Sequence, residues 1–233
     1  MRPSLPRRIA AEFTGTAFLV AAVIGSGIMG ERLAGGNVAL ALLANTIATG
    51  AALIALILTF GPISGGHMNP AVTLADAIEG GLAWSEATYY ACAHLIGGGC
   101  GAAAANLMFS LRAVTVSHRV RSGPAQLFSE FVATFGLLSV IWGCSRLWSG
   151  AVALGVGAYI TAAYWFTSST SFANPAVTIA RSLSDTFTGI RPADVPGFVL
   201  AQLAGGVAAT YLFRWLVPRL AGHARDVVGP RAE

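Results

Sequence analysis

The apolar residues of this chain fall in long runs separated by short polar connections. A hydrocarbon core of about 30 Å takes about 20 helical residues to cross. Six runs are long enough, at about 9–29, 37–60, 86–110, 125–145, 150–167 and 195–217, the fifth being the shortest. Two further apolar stretches, 69–78 and 174–184, are about half that length, too short to span and suited to re-entrant segments. The pattern predicts an all-α membrane protein of six transmembrane helices and two half-helices.

The runs repeat. Ala11-Glu12-Phe13-Thr14-Gly15-Thr16 returns as Ser129-Glu130-Phe131-Val132-Ala133-Thr134, and Asn69-Pro70-Ala71-Val72-Thr73 returns unchanged as Asn174-Pro175-Ala176-Val177-Thr178. His94-Leu95-Ile96-Gly97-Gly98 returns as Gln202-Leu203-Ala204-Gly205-Gly206. Each half, about 1–115 and 122–220, therefore reads span with Glu, span, short Asn-Pro-Ala segment, span with a glycine pair, within a single domain over 1–233. Three spans per half is an odd number, so the second half enters the membrane from the opposite face and the repeat is inverted. The two short segments then dip in from opposite faces, and helices of about ten residues reach about 15 Å, half the core. Their N-termini are expected to meet at the midplane.

Asn-Pro-Ala suits such a meeting point. Asn is a strong N-cap, and Pro is tolerated at the first helical position because its missing N–H would be unpaired there. With each Asn oxygen capping its own helix, the amide N–H donors are left to face the space between the two ends. Two positive helix termini around a narrow lumen repel cations and favour neutral polar solutes. Irregular backbone at membrane depth is tolerated where it lines a cavity. The approaches to the two motifs are therefore expected to present Gly65, Gly66 and His67, and Thr170, Ser171 and Phe172, to the pore through their backbone.

Composition narrows the alternatives. Of 233 residues 55% are hydrophobic and 10% charged, with mean hydropathy +0.68, too apolar for a soluble surface. The net charge of +4 comes from arginines scattered over the termini and connections, which reads as membrane-flanking residues and argues against nucleic-acid binding. Cys92, Cys100 and Cys144 lie inside apolar runs, with neither disulfide nor metal-ligand spacing. No nucleophile is paired with a base, so no enzyme, metal site or cofactor is expected. The first run follows Arg2, Arg7 and Arg8 but is too long for a secretory signal and carries Glu12, which favours a retained span.

The duplicated motif within the inverted repeat resembles the major intrinsic protein family, the aquaporins and aquaglyceroporins, over nearly the whole chain. The resemblance implies an aquaporin-like bundle forming homotetramers. It also implies that Glu12 and Glu130 anchor the re-entrant loops by hydrogen bonding to backbone; their symmetric placement favours this over a proton relay. His94 and its counterpart Gln202 read as hydrogen-bonding helix contacts, and the glycine clusters as close helix approaches. Trp84, Trp142, Trp148 and Trp215 read as interfacial anchors.

Counted from the motifs, the four side chains that set selectivity in this family fall at Thr49, Ala162, Ser171 and Val177. Water-selective relatives place an aromatic, a His, a small residue and an Arg there. None of the four is aromatic or charged here, so a wider and less polar constriction is expected. Arg181, one helical turn beyond Val177, either swings back into the mouth or snorkels at the interface near Asp185, and the second is the expectation. The filter and the stretch 180–187 are similar to the bacterial aquaporins associated with arsenic resistance, the aquaporin S group. That implies passage of water, of glycerol-sized solutes and of As(OH)3, a neutral triol of about glycerol's size, with bulkier methylated arsenicals also in range. A water channel without a metalloid role, a secondary transporter and a structural membrane protein are the alternatives. The expected setting is the bacterial inner membrane, lipid around the bundle and both termini cytoplasmic beside Arg2, Arg7, Arg8, Arg219, Arg225 and Arg231. This leaves Arg112, Arg119 and Arg121 outside, against the positive-inside rule.

Overall fold

The computed structural model describes residues 3–217. Arg2, Arg219, Arg225, Arg231 and the last residues of the second repeat lie outside them. Eight α-helices and two short 3-10 turns make up the described residues, without a strand. They are α1 (Leu5–Leu33), α2 (Val38–Ser64), α3 (Pro70–Ile78), α4 (Trp84–Met108), α5 (Pro124–Leu147), α6 (Val152–Phe166), α7 (Pro175–Arg181) and α8 (Val195–Leu216). Six are long and two short, in the order long, long, short, long, twice over.

Local chemistry sets the boundaries. Gly35 and Gly36 turn the chain with φ of 56° and 86° before Asn37 caps α2 by accepting from the Leu40 N–H at 3.2 Å. Gly65 closes α2 in the left-handed region, φ 102°, a conformation glycine adopts without steric cost. Asn69-Pro70 and Asn174-Pro175 start α3 and α7 as N-cap and first helical residue. At about 1.5 Å per residue, the nine residues of α3 and seven of α7 reach roughly 13 and 10 Å. The second short helix stops at Arg181 rather than near Ser184. Ser182 and Leu183 turn instead to offer their carbonyls to the N–H groups of Ser117 and Thr115.

Polarity is arranged inside out. Phe18, Leu40, Ile47, Leu58, Ile96, Leu154 and Leu200 are exposed, whereas Glu12, Thr16, Asn45, His94, Asn106, Glu130, Thr134 and Gln202 are buried. Such a surface is at home in hydrocarbon and not in water. Five of the long helices are apolar enough to cross a membrane on that ground alone. The sixth, α4, is as long but less apolar, with its glycines, His94 and Asn106 facing other helices.

Those glycines explain the closest crossings. Helix α1 packs on α2 and α4, α5 on α6 and α8, and α2 meets α6. A Cβ on Gly97 would stand 2.4 Å from the Phe13 carbonyl oxygen, and one on Gly205 2.3 Å from that of Phe131, its repeat counterpart. Gly98 lies against Ala176 and Ala180 of α7, and Gly206 against Ala71 of α3, so each half-helix also touches the last long helix of the opposite half. Of the four tryptophans read as interfacial anchors, Trp84, Trp148 and Trp215 are exposed. Trp142 is not an anchor. It is buried and donates its indole N–H to Thr210 Oγ1 of α8 at 3.1 Å, which satisfies the one polar atom that would otherwise draw it to an interface.

Candidate functional site

The two half-helices meet N-terminus to N-terminus through their asparagines. Asn69 Oδ1 accepts from the Ala71 N–H at 2.9 Å, and Asn174 Oδ1 from Ala176 and Val177 at 3.0 and 3.3 Å. Each amide nitrogen then reaches across the midplane. Asn69 Nδ2 donates to the Ala173 carbonyl and Asn174 Nδ2 to the Met68 carbonyl, both at 2.8 Å. The sequence predicts that both amide hydrogens face the lumen. Only one per asparagine is free to do so, because the other stitches the opposite loop in place.

The loops before the motifs are held from behind. Glu12 Oε1 accepts from Ser64 Oγ at 2.6 Å and the His67 N–H at 3.0 Å, while Oε2 accepts from the Met68 N–H at 2.6 Å and His94 Nε2 at 2.7 Å. Glu130 does the same in its half, accepting from the Phe172 and Ala173 N–H groups at 2.9 Å and Gln202 Nε2 at 2.5 Å. Met68 and Ala173, the residues before each asparagine, have φ of 47° and 49°, unfavourable for a side chain with a Cβ. The carboxylates bond the N–H of those two residues and so hold the strained turns. The His67 ring lies by Thr73 Oγ1 at 2.9 Å and Asp76 at 3.6 Å. Among the described residues no cluster of three or more His, Cys, Asp or Glu is placed to hold a metal ion, and the three cysteines are free thiols.

A cavity of about 60 Å³ runs past both motifs, room for several waters. Its walls are apolar and built alike in the two halves. Leu19 and Val23 of α1 correspond to Leu137 and Ile141 of α5, at the offset that relates Glu12 to Glu130. Thr49, Leu53 and Ile57 form a four-residue ladder on α2, matched by Val156, Ile160 and Tyr164 on α6. Asn69, Asn174, Gly66, His67, Ser171 and Phe172 also line it, whereas Gly65 and Thr170 do not.

Of the four counted filter positions, Thr49, Ser171 and Val177 lie on this wall and Ala162 does not. Ala162 is exposed on the outside of α6. Tyr164 takes its place, and two residues along a helix turn a side chain by about 200°. Counting twelve residues back from the second motif therefore lands on the outer side of α6, not on the side that lines the cavity. Tyr164 donates its hydroxyl to Thr49 Oγ1 at 3.3 Å, so an aromatic does line the cavity. The signal was available in the four-residue spacing of Val156, Ile160 and Tyr164, which mirrors α2.

Arg181 also departs from expectation. It does not snorkel beside Asp185, which instead accepts from the backbone N–H of His118 at 3.0 Å. It is 1% exposed and lies on the cavity wall, Nε donating to the Thr188 carbonyl and Cζ resting 3.3 Å from the centroid of the Phe172 ring. The connection 109–123 packs against the segments that carry Ser169, Phe172, Thr186 and Gly189. Arg119 pairs with Glu31 at 2.9 Å, and Arg121 donates to the carbonyls of Gly189 and Ser169. Burial, with Arg119 adding to it, lowers the Arg121 pKa to about 10, leaving it a cation at neutral pH.

A cavity between two halves whose short helices meet through paired asparagines is the architecture of a transmembrane channel for small solutes. The chain belongs to the major intrinsic protein family, whose family model, described as major intrinsic protein, matches residues 1–149. It is 54% identical over 213 residues to the aquaglyceroporin AqpS of Rhizobium meliloti, covering 91% of each chain. It is 30% identical to aquaporin NIP1-4 of Oryza sativa subsp. japonica, over 93% of this chain and 78% of that one. The X-ray structure of the aquaglyceroporin from Plasmodium falciparum has the same fold, with a TM-score of 0.73 at 19% identity, covering 93% of this chain and 99% of that one.

Proposed function

We propose that the channel is an aquaglyceroporin whose wide mouth passes glycerol-sized neutral molecules and trivalent arsenicals such as As(OH)3, methylated forms included, in arsenic detoxification. The observation that carries this reading is Val177 on the cavity wall, where an arginine would narrow the passage and supply donors suited to water. As(OH)3 offers three hydroxyls on a compact neutral centre, which suits apolar walls with a few donors. The likeness to a protein named aquaglyceroporin supports glycerol.

The reading includes a homotetramer in the bacterial plasma membrane, surrounded by lipid, with both termini cytoplasmic. The orientation sets the basic connection 109–123 outside, with Arg119 engaged by Glu31 and Arg121 by backbone carbonyls. The test is stopped-flow flux in proteoliposomes. Non-saturating water, glycerol and arsenite flux down their gradients supports the reading; saturable, ion-coupled flux would make it a carrier, and no flux a structural protein.

A further inference from the structure

Two buried polar atoms on the cavity wall have no hydrogen-bond partner: Nη1 of Arg181 and Oγ of Ser171, in residues 1% and 2% exposed. A buried donor is costly to leave unsatisfied, and a guanidinium more so. Every other feature around Arg181 fixes its orientation. Nε is tied to the Thr188 carbonyl, one face lies on Phe172, and among the described residues no carboxylate is within ion-pairing distance. Arg121 stands over the same Phe172 ring at 5.0 Å, so two guanidiniums flank it, while the Glu130 carboxylate is turned to the Phe172 and Ala173 N–H groups and to Gln202. Four residues separate Arg181 from Val177, which puts both on one face of α7 about 6 Å apart along its axis.

We propose that Arg181 and Ser171 form a solute-selecting subsite one helical turn along α7 from Val177, at which the guanidinium donates to an acceptor oxygen of the passing solute and turns cations away. The inference rests on the cavity being the conduction path. Held flat on Phe172, the guanidinium lines the wall instead of crossing it, so a donor cation and a broad opening at Val177 coexist. Solutes presenting a hydroxyl or carbonyl oxygen to Arg181 and a second hydroxyl to Ser171 fit this pair, as polyols do. A small carboxylate fits it too, by bidentate pairing with the guanidinium, and would occupy the subsite without being a good permeant.

The experiment compares wild type, Arg181→Leu and Arg181→Lys in proteoliposomes, each confirmed to elute as the same oligomer. Water and glycerol permeability and sodium conductance are measured at pH 7, with sodium formate titrated against sodium gluconate at constant ionic strength. In the wild type, formate should slow glycerol flux saturably while gluconate does not. Arg181→Leu should lower the glycerol-to-water permeability ratio about tenfold to a hundredfold, the loss of one hydrogen bond to a charged donor, raise sodium conductance and abolish the formate effect. Arg181→Lys should restore cation exclusion with only part of the glycerol ratio. Formate-insensitive wild-type flux, together with a wild-type ratio and cation exclusion in Arg181→Lys or Arg181→Leu, would overturn the proposal even if one variant failed to fold. A wild type passing neither water nor glycerol would instead remove the channel reading beneath it.

Discussion

Tyr164 donates its hydroxyl to Thr49 Oγ1 at 3.3 Å on the cavity wall, linking α6 of one repeat to α2 of the other. The cavity is thus bounded on that side by a ring and a hydrogen bond, neither of which the motif spacing indicates. Tyr164→Ala should widen it and raise glycerol permeability several-fold more than that of water. Tyr164→Phe keeps the bulk and should leave the ratio within about twofold. Ala162→Leu, on the outside of α6, should leave selectivity unchanged, and a shift in the glycerol-to-water ratio there would restore the position counted from the motif.

Val177 is 5% exposed on the same wall. Val177→Arg puts a second guanidinium one turn from Arg181, narrowing the passage and setting two cations side by side. Glycerol, arsenite and above all methylated arsenical permeability should fall before water permeability does. An equal loss for all four, at matched protein content, would indicate misfolding and not selection.

Asn69→Asp and Asn174→Asp replace the amide donor facing the Ala173 or Met68 carbonyl with an oxygen, so attraction becomes repulsion at 2.8 Å. A negative charge between two positive helix ends also weakens the barrier to cations. Reduced yield of folded protein or a proton leak should result, read with a pH-sensitive dye inside vesicles. Wild-type flux and no leak in both variants would remove the asparagines from the pore's working parts.

Glu12 accepts from four donors and Glu130 from three. A glutamine keeps one acceptor oxygen, so Glu130→Gln should be the milder change and Glu12→Gln the harsher, both retaining transport. Leucine leaves every donor unpaired, at about 1–3 kcal/mol each, and should prevent stable assembly. Detergent-solubilised thermal unfolding separates the four variants. Normal unfolding with no transport in the glutamine forms would favour a proton-coupled carrier.

Gly97→Ala and Gly99→Ala form a matched pair on α4. The first sets a methyl 2.4 Å from the Phe13 carbonyl oxygen, whereas the second meets only Leu183 Cδ1 at 4.0 Å. The crowded site should lose about 1–3 kcal/mol, and the open one should be neutral or gain up to ~1 kcal/mol through helix propensity. Unfolding midpoints that do not separate would mean the α1–α4 crossing yields more easily than its geometry implies.

What the sequence reveals divides along a physical line. Covalent repeats locate Asn69, Asn174, Glu12, Glu130 and the paired glycines, because counting preserves register within a repeat. Apolar length finds all six long helices, α4 included. Facing is another matter: in a chain whose lipid side and core are both apolar, nothing in the composition distinguishes Trp142 from Trp148, or Ala162 from Tyr164 two residues on. Arg181 was hidden for a third reason. A long side chain at a helix end can go several ways, and its course is decided by Thr188 and Phe172, which the loop brings near only once folded.

The midplane stitch bears on how the protein is made. Asn69 is synthesised early, but the carbonyl its amide needs belongs to Ala173, 104 positions later. Until the second motif leaves the ribosome, the first re-entrant loop has its Glu12 tether and no partner ahead of it. Gly98 likewise waits for Ala176. The first three long helices can insert in turn, yet a sealed pore exists only when the last quarter of the chain arrives. A nascent chain halted before that point is therefore an incomplete wall and not a smaller channel.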